Sequence, residues 1–159
     1  MMELKPGDIL LYPDDGLWKH HFFAVLQKLF GELGSVKSPI YTHAAMISTE
    51  PDLVVEMVWP RPRFRMLVDD TRAYQVFRPA CDDKFKIRAL YWCYMNINDH
   101  YSFLNMLLGY LKIAQSYKVC STWVDAAFKE AGFPLSPSTE TLASPNELAS
   151  SEKLVKVGI

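Results

Sequence analysis

The chain has 159 residues, half of them apolar and 13% aromatic, enough for a single domain over 1–159 with a sizeable core. Its 17 basic and 18 acidic side chains leave a formal net charge of -1, so nothing in the charge balance calls for a nucleic acid or an anionic membrane as partner. No apolar run approaches the ~20 residues that span a bilayer, and Met1-Met2-Glu3 followed by Lys5-Pro6-Gly7-Asp8 lacks the basic and apolar regions of an export signal.

Asp8 to Tyr12 (DILLY), entered from Pro6-Gly7, reads as a strand. Residues 17–30 read as a helix, with Trp18, Phe22, Leu26 and Leu29 on one stripe and Gly31 and Gly34 as stops. Strand-like runs follow at Tyr41 to Ser48 and Leu53 to Trp59, with Glu50-Pro51-Asp52 as the turn between them. Pro60 and Pro62 end the second run because neither has an N–H for the ladder. Phe64 to Val68 and Tyr74 to Phe77 are two further β-prone stretches. Residues 84–95 then change period and align Ile87, Leu90, Tyr91 and Tyr94 as a helical stripe. After a polar turn at Asn96 to Asp99, Leu104, Leu108 and Leu111 align on a second apolar helix. Residues 120–131 (CSTWVDAAFKEA) form the clearest helix, closed by Gly132 and Pro134. The Leu154 to Ile159 end adds an edge strand or simply docks. Segregated strands and helices predict an α+β fold.

Cys120 opens its predicted helix, where first-turn N–H groups and the helix dipole would stabilise a thiolate and could hold an oxyanion. The competing explanation is a buried apolar cysteine. His43 lies in a strand among the small side chains Thr42, Ala44 and Ala45, which leave room for another element to approach its ring; a structural histidine in a sheet would look the same. Glu56 is a carboxylate among Val54, Val55, Met57 and Val58, so it needs either a partner or an outward-facing position. If its strand pairs with that of His43, it could reach the far ring nitrogen. Tyr12 could lend a hydroxyl at the oxyanion position or act as an amphipathic aromatic cap. Tyr117 and Trp123 flank Cys120 as groove walls or as core. Cys81 and Cys93 lack ligands at zinc spacing, His20 and His21 diverge on a helix, and His100 follows Asp99, so no metal is expected; with no glycine-rich phosphate cradle or dinucleotide fingerprint, no cofactor is expected either. Cys93 reads as core and Cys81 as exposed. Three cysteines cannot all pair within one chain, and with no visible signal they point to a reducing, cytoplasmic setting, although a protein released by lysis would look alike.

Taken in order, KPGDILLY at 5–12, THAAMIS at 42–48, VVEM at 54–57, VCSTWVDAAFKEAG at 119–132 and SPNELASS at 144–151 resemble the circularly permuted branch of the NlpC/P60 papain-like superfamily. The resemblance implies a small antiparallel β-barrel-like sheet packed against the helix that bears the nucleophile. It implies Cys120 as nucleophile, His43 as base and Glu56 as third polar residue, with chain order irrelevant to the constellation. Members of the superfamily include amidases, peptidases, thioesterases and lipid acyltransferases. The expected activity is therefore a thiol hydrolase cleaving a peptide, isopeptide or γ-glutamyl-type amide through a thioester. A thioesterase or acyltransferase on a lipid-like ester, and a non-catalytic module that keeps the fold, are the alternatives.

Overall fold

A computed structural model describes residues 3–14, 40–101, 119–136 and 144–158. Pro6-Gly7 turns the chain into its first strand. Gly7 has a φ of 82°, and a Cβ there would lie 2.6 Å from Lys86 Cβ, so the turn requires glycine. The described residues contain six strands: β1 (Ile9–Pro13), β2 (Tyr41–Ile47), β3 (Leu53–Met57), β4 (Pro62–Met66), β5 (Gln75–Pro79) and β6 (Leu154–Val157). They form one antiparallel sheet in the order β4-β3-β2-β1-β5-β6. Among the described residues the α-helices are α1 (Asp83–Met95), α2 (Cys120–Glu130) and α3 (Pro145–Ala149). The helices expected over 17–30 and around Leu104, Leu108 and Leu111 lie outside the described residues.

The expected barrel-like closure does not occur. β4 and β6 lie at opposite ends of the strand order, and the sheet is open. Closure would require those two edges to pair, yet β4 begins at Pro62, which has no N–H to donate. The sheet face that would become a barrel interior also carries Glu56, His43 and Arg65, a charged set unlike the apolar filling of a small barrel.

The two sheet faces do different work. One, with Ile9, Leu11, Ala44, Met46, Val55 and Met57, packs against Ala89, Leu90 and Cys93 of α1, Val124, Ala127 and Phe128 of α2, and Leu148 of α3. The other buries Leu10, Tyr12, Ala45, Ile47, Val54 and Val76 in a smaller cluster. On α1 the stripe is displaced from the expected one: Leu90 is buried with Lys86, Ala89 and Cys93, while Ile87 and Tyr91 are exposed. The small side chains of Ala89 and Cys93 let α1 come close to α2, which the larger Ile87 and Tyr91 would hold off. The last segment pairs with β5 as an edge strand. SPNELASS forms a short helix capped by Ser144, whose hydroxyl accepts the Glu147 N–H while the Glu147 carboxylate accepts the Ser144 N–H.

Candidate active site

Strand register places two of the candidate residues. His43 on β2 stands opposite Tyr12 on β1, and Ala45 stands opposite Glu56 on β3, so Glu56 is the diagonal neighbour of His43. His43 Nε2 and Glu56 Oε2 lie 2.9 Å apart. Beyond His43 the β1–β2 register shifts: Pro13 faces Tyr41, and Thr42 is passed over as a bulge. Asn146 of α3 holds this irregular start of β2, its Oδ1 accepting the Tyr41 N–H at 2.9 Å and its Nδ2 donating to the Tyr41 carbonyl at 3.3 Å.

The β2–β3 ladder reaches only as far as Ala45, and α2 packs against β2. Cys120 is the first residue of α2. Its sulfur sits within the electrostatic reach of His43 and of the Ala44 and Ser121 N–H groups. Thr122 Oγ1 accepts the Val119 N–H at 3.0 Å and fixes the turn that presents Cys120. His43 and Glu56 are thus joined directly, and Cys120 lies near enough to His43 for their charges to interact.

Each of these charges is shifted for a stated cause. Burial opposes ionisation of Cys120, but the charged His43 and the Ala44 and Ser121 N–H groups bring its thiol below the ordinary range. Burial likewise opposes a charged His43; the Cys120 thiolate first, and then Glu56, outweigh it and push the imidazole up to about 9. Both shifts run toward a thiolate beside an imidazolium. Glu56 is fully buried, and although burial raises it, His43 and Arg65 hold its carboxyl well below the usual range. The other two thiols go the opposite way, since burial raises both Cys93 and Cys81.

Behind Glu56 lies a cluster that sequence reasoning missed. Arg63 donates to Glu56 Oε1 through Nε at 2.9 Å, with its Nη2 at 2.8 Å; Arg65 Nε donates to the same oxygen at 3.1 Å, and Arg72 Nη2 stands 3.6 Å from Oε2. Arg65 and Arg72 also pair with Asp70, at 2.7 and 2.8 Å. Burial opposes the Asp70 charge, but the Arg72 and Tyr12 hydrogen bonds bring its carboxyl down to about 2. The one sequence signal was the alternation of Arg63 and Arg65 after Pro62, which puts both on the face of Glu56 once the β3–β4 register is known.

The aromatic candidates divide. The Tyr12 ring lies 5.5 Å from that of His43 and beneath the Arg72 guanidinium at 4.2 Å. Its hydroxyl is bonded to Arg65 at 3.1 Å and to Asp70. Trp123 is buried in the main core, where its Nε1 donates to Asp99 Oδ2 at 3.2 Å. Tyr117 lies outside the described residues. Among the described residues no group of three or more His, Cys, Asp and Glu side chains could hold a metal ion, and no helix is long and apolar enough to cross a membrane. No protein-family model matches the chain, and no curated protein matches it.

Proposed function

We propose that the chain is a cysteine-dependent hydrolase that cleaves an amide bond of peptide, isopeptide or γ-glutamyl type through a thioester acyl-enzyme, in a reducing compartment such as the cytoplasm. One observation carries the reading: a buried histidine bonded to a buried carboxylate lies beside a cysteine at a helix N-terminus whose thiol it draws below the ordinary range. The ordered resemblance to the permuted NlpC/P60 branch supports the same chemistry. Cys120 Sγ attacks the carbonyl carbon, and the displaced electron pair on oxygen faces N–H groups of the first turn of α2. Collapse of that intermediate expels the amine, which takes the proton from His43. Water then gives a proton to His43 as its oxygen attacks the thioester, releasing the acid and restoring the thiolate–imidazolium pair. A charged His43 favours an amide over a thioester substrate, because an amine cannot leave without a proton whereas a thiolate can.

A second reading has its own support. Cys120 and His43 expose only 7% and 9% of their surfaces, as in a binding module that keeps the pair without turnover. Limiting iodoacetamide near pH 6 followed by peptide mapping, with peptidoglycan fragments, γ-glutamyl peptides and acyl thioesters offered to the parent and to Cys120→Ala, separates the two. Hydrolysis requires Cys120 to be labelled before Cys81 and Cys93, and turnover to vanish in Cys120→Ala. Equal turnover in both proteins would sink the proposal.

A further inference from the structure

We propose that Arg65 is a positioning residue of this centre: it fixes the Glu56 carboxylate against His43 and draws off its negative charge, leaving the Cys120 thiolate to govern the proton on the imidazole. The inference rests on the reading of Cys120 and His43 as a reactive pair. The Arg65 side chain is 13% exposed and bridges three partners, two of which, Glu56 and Tyr12, touch His43. Its Nε donates to Glu56 Oε1 at 3.1 Å, and its Nη2 donates to the Tyr12 hydroxyl at 3.1 Å and stands 2.7 Å from Asp70 Oδ2 as an ion pair. One guanidinium therefore holds both the carboxylate bonded to His43 and the ring packed against it. Arg63 shares the Glu56 oxygen, but its side chain is 54% exposed and water screens it. Arg72 is engaged chiefly with Asp70.

The charge count supports the same division of labour. His43 is faced by Cys120 from α2, Tyr12 from β1 and Glu56 from β3, with Arg63 and Arg65 of β4 and then Asp70 and Arg72 behind the carboxylate. Even with the screened Arg63 left out, Arg65 and Arg72 against Glu56 and Asp70 leave no surplus negative charge on that side of the imidazole. Holding Oε1 and the Tyr12 hydroxyl together needs a planar fork, which a lysine does not have.

Two readouts on the full chain test this: the His43 ring titration by NMR, and the rate of Cys120 alkylation by iodoacetamide at pH 7. Arg65→Gln frees the Glu56 charge, so the His43 midpoint is expected to rise by about one pH unit. Arg65→Lys keeps the charge but loses the fork, so the midpoint is expected to stay while alkylation slows about fivefold. Arg63→Gln, at the screened position, is expected to change alkylation by less than about twofold. A merely structural role would slow alkylation in Arg65→Gln without moving the midpoint, and that result overturns the proposal. Parent-like alkylation in Arg65→Lys overturns it too, and decides the matter if Arg65→Gln does not fold. If Cys120 of the parent reacts no faster than an unfolded thiol, the reactive-pair reading fails on the parent alone and takes this inference with it.

Discussion

Glu56 exposes no surface, and a lone carboxylate so placed would cost several kcal/mol; His43, Arg63 and Arg65 together make the charge tolerable. Glu56→Gln keeps the shape but leaves those arginines facing a neutral amide. A destabilisation of about 3 kcal/mol is expected, read from the denaturant midpoint. Cys120 alkylation should fall in this variant yet stay ahead of Cys81 and Cys93, because the α2 terminus and His43 remain. Trp123→Phe provides the contrast: loss of the bond to Asp99 should cost about 1 kcal/mol and leave thiol reactivity unchanged. Glu56, His43 and Cys120 stood out in the sequence because each interrupts its surroundings, a carboxylate among valines, a histidine among alanines, a cysteine opening a helix. Arg63, Arg65, Asp70 and Arg72 did not, since charged residues after a proline read as a solvated edge until the register with β3 turns two of them inward. Trp123 allowed wall and core equally, and only tertiary packing separates them.

At the scale of elements, the strands followed from apolar runs and prolines, and α2 from its periodic stripe and its stop at Gly132, where φ is 90°. The stripe of α1 was displaced because Leu90 belongs to two helical registers and the choice between them is made by α2, not by the helix itself. Closure of the sheet was not legible at all: it depends on whether the outer edges of β4 and β6 meet, which no local pattern encodes. The part played by SPNELASS also appears only in three dimensions, where Asn146 takes both backbone groups of Tyr41 at the bulge, two residues before His43. Asn146→Ala leaves a buried N–H and a buried carbonyl without that partner, and a loss of about 2 kcal/mol is expected. Hydrogen exchange at the Tyr41 amide should accelerate with it. Asn146→Asp keeps the acceptor but loses the donor, and should fall between the two. Unchanged exchange at Tyr41 in Asn146→Ala would show that β2 is held by its neighbouring strands alone.

The same charges shape how the whole molecule responds to pH. Glu56 and Asp70 both have carboxyls lowered by folding, from ordinary values of 4.5 and 3.8, so each contributes stability that is complete above its unfolded value and is lost as pH falls toward its folded one. Asp125 has the opposite sign. Burial raises its carboxyl despite the Ser136 and Leu135 N–H groups, so its contribution is present at low pH and fades as pH rises through its folded value. Unfolding free energies from urea titrations should accordingly fall below about pH 4.5, by up to ~1.4 kcal/mol per pH unit for each carboxylate. Glu56→Gln should start lower at pH 7 and decline less steeply in acid, so that the curves for parent and variant converge as pH falls. Parallel curves would remove Glu56 as a source of the acid sensitivity and would mean that its carboxylate binds its proton in the folded chain much as it does in the unfolded one.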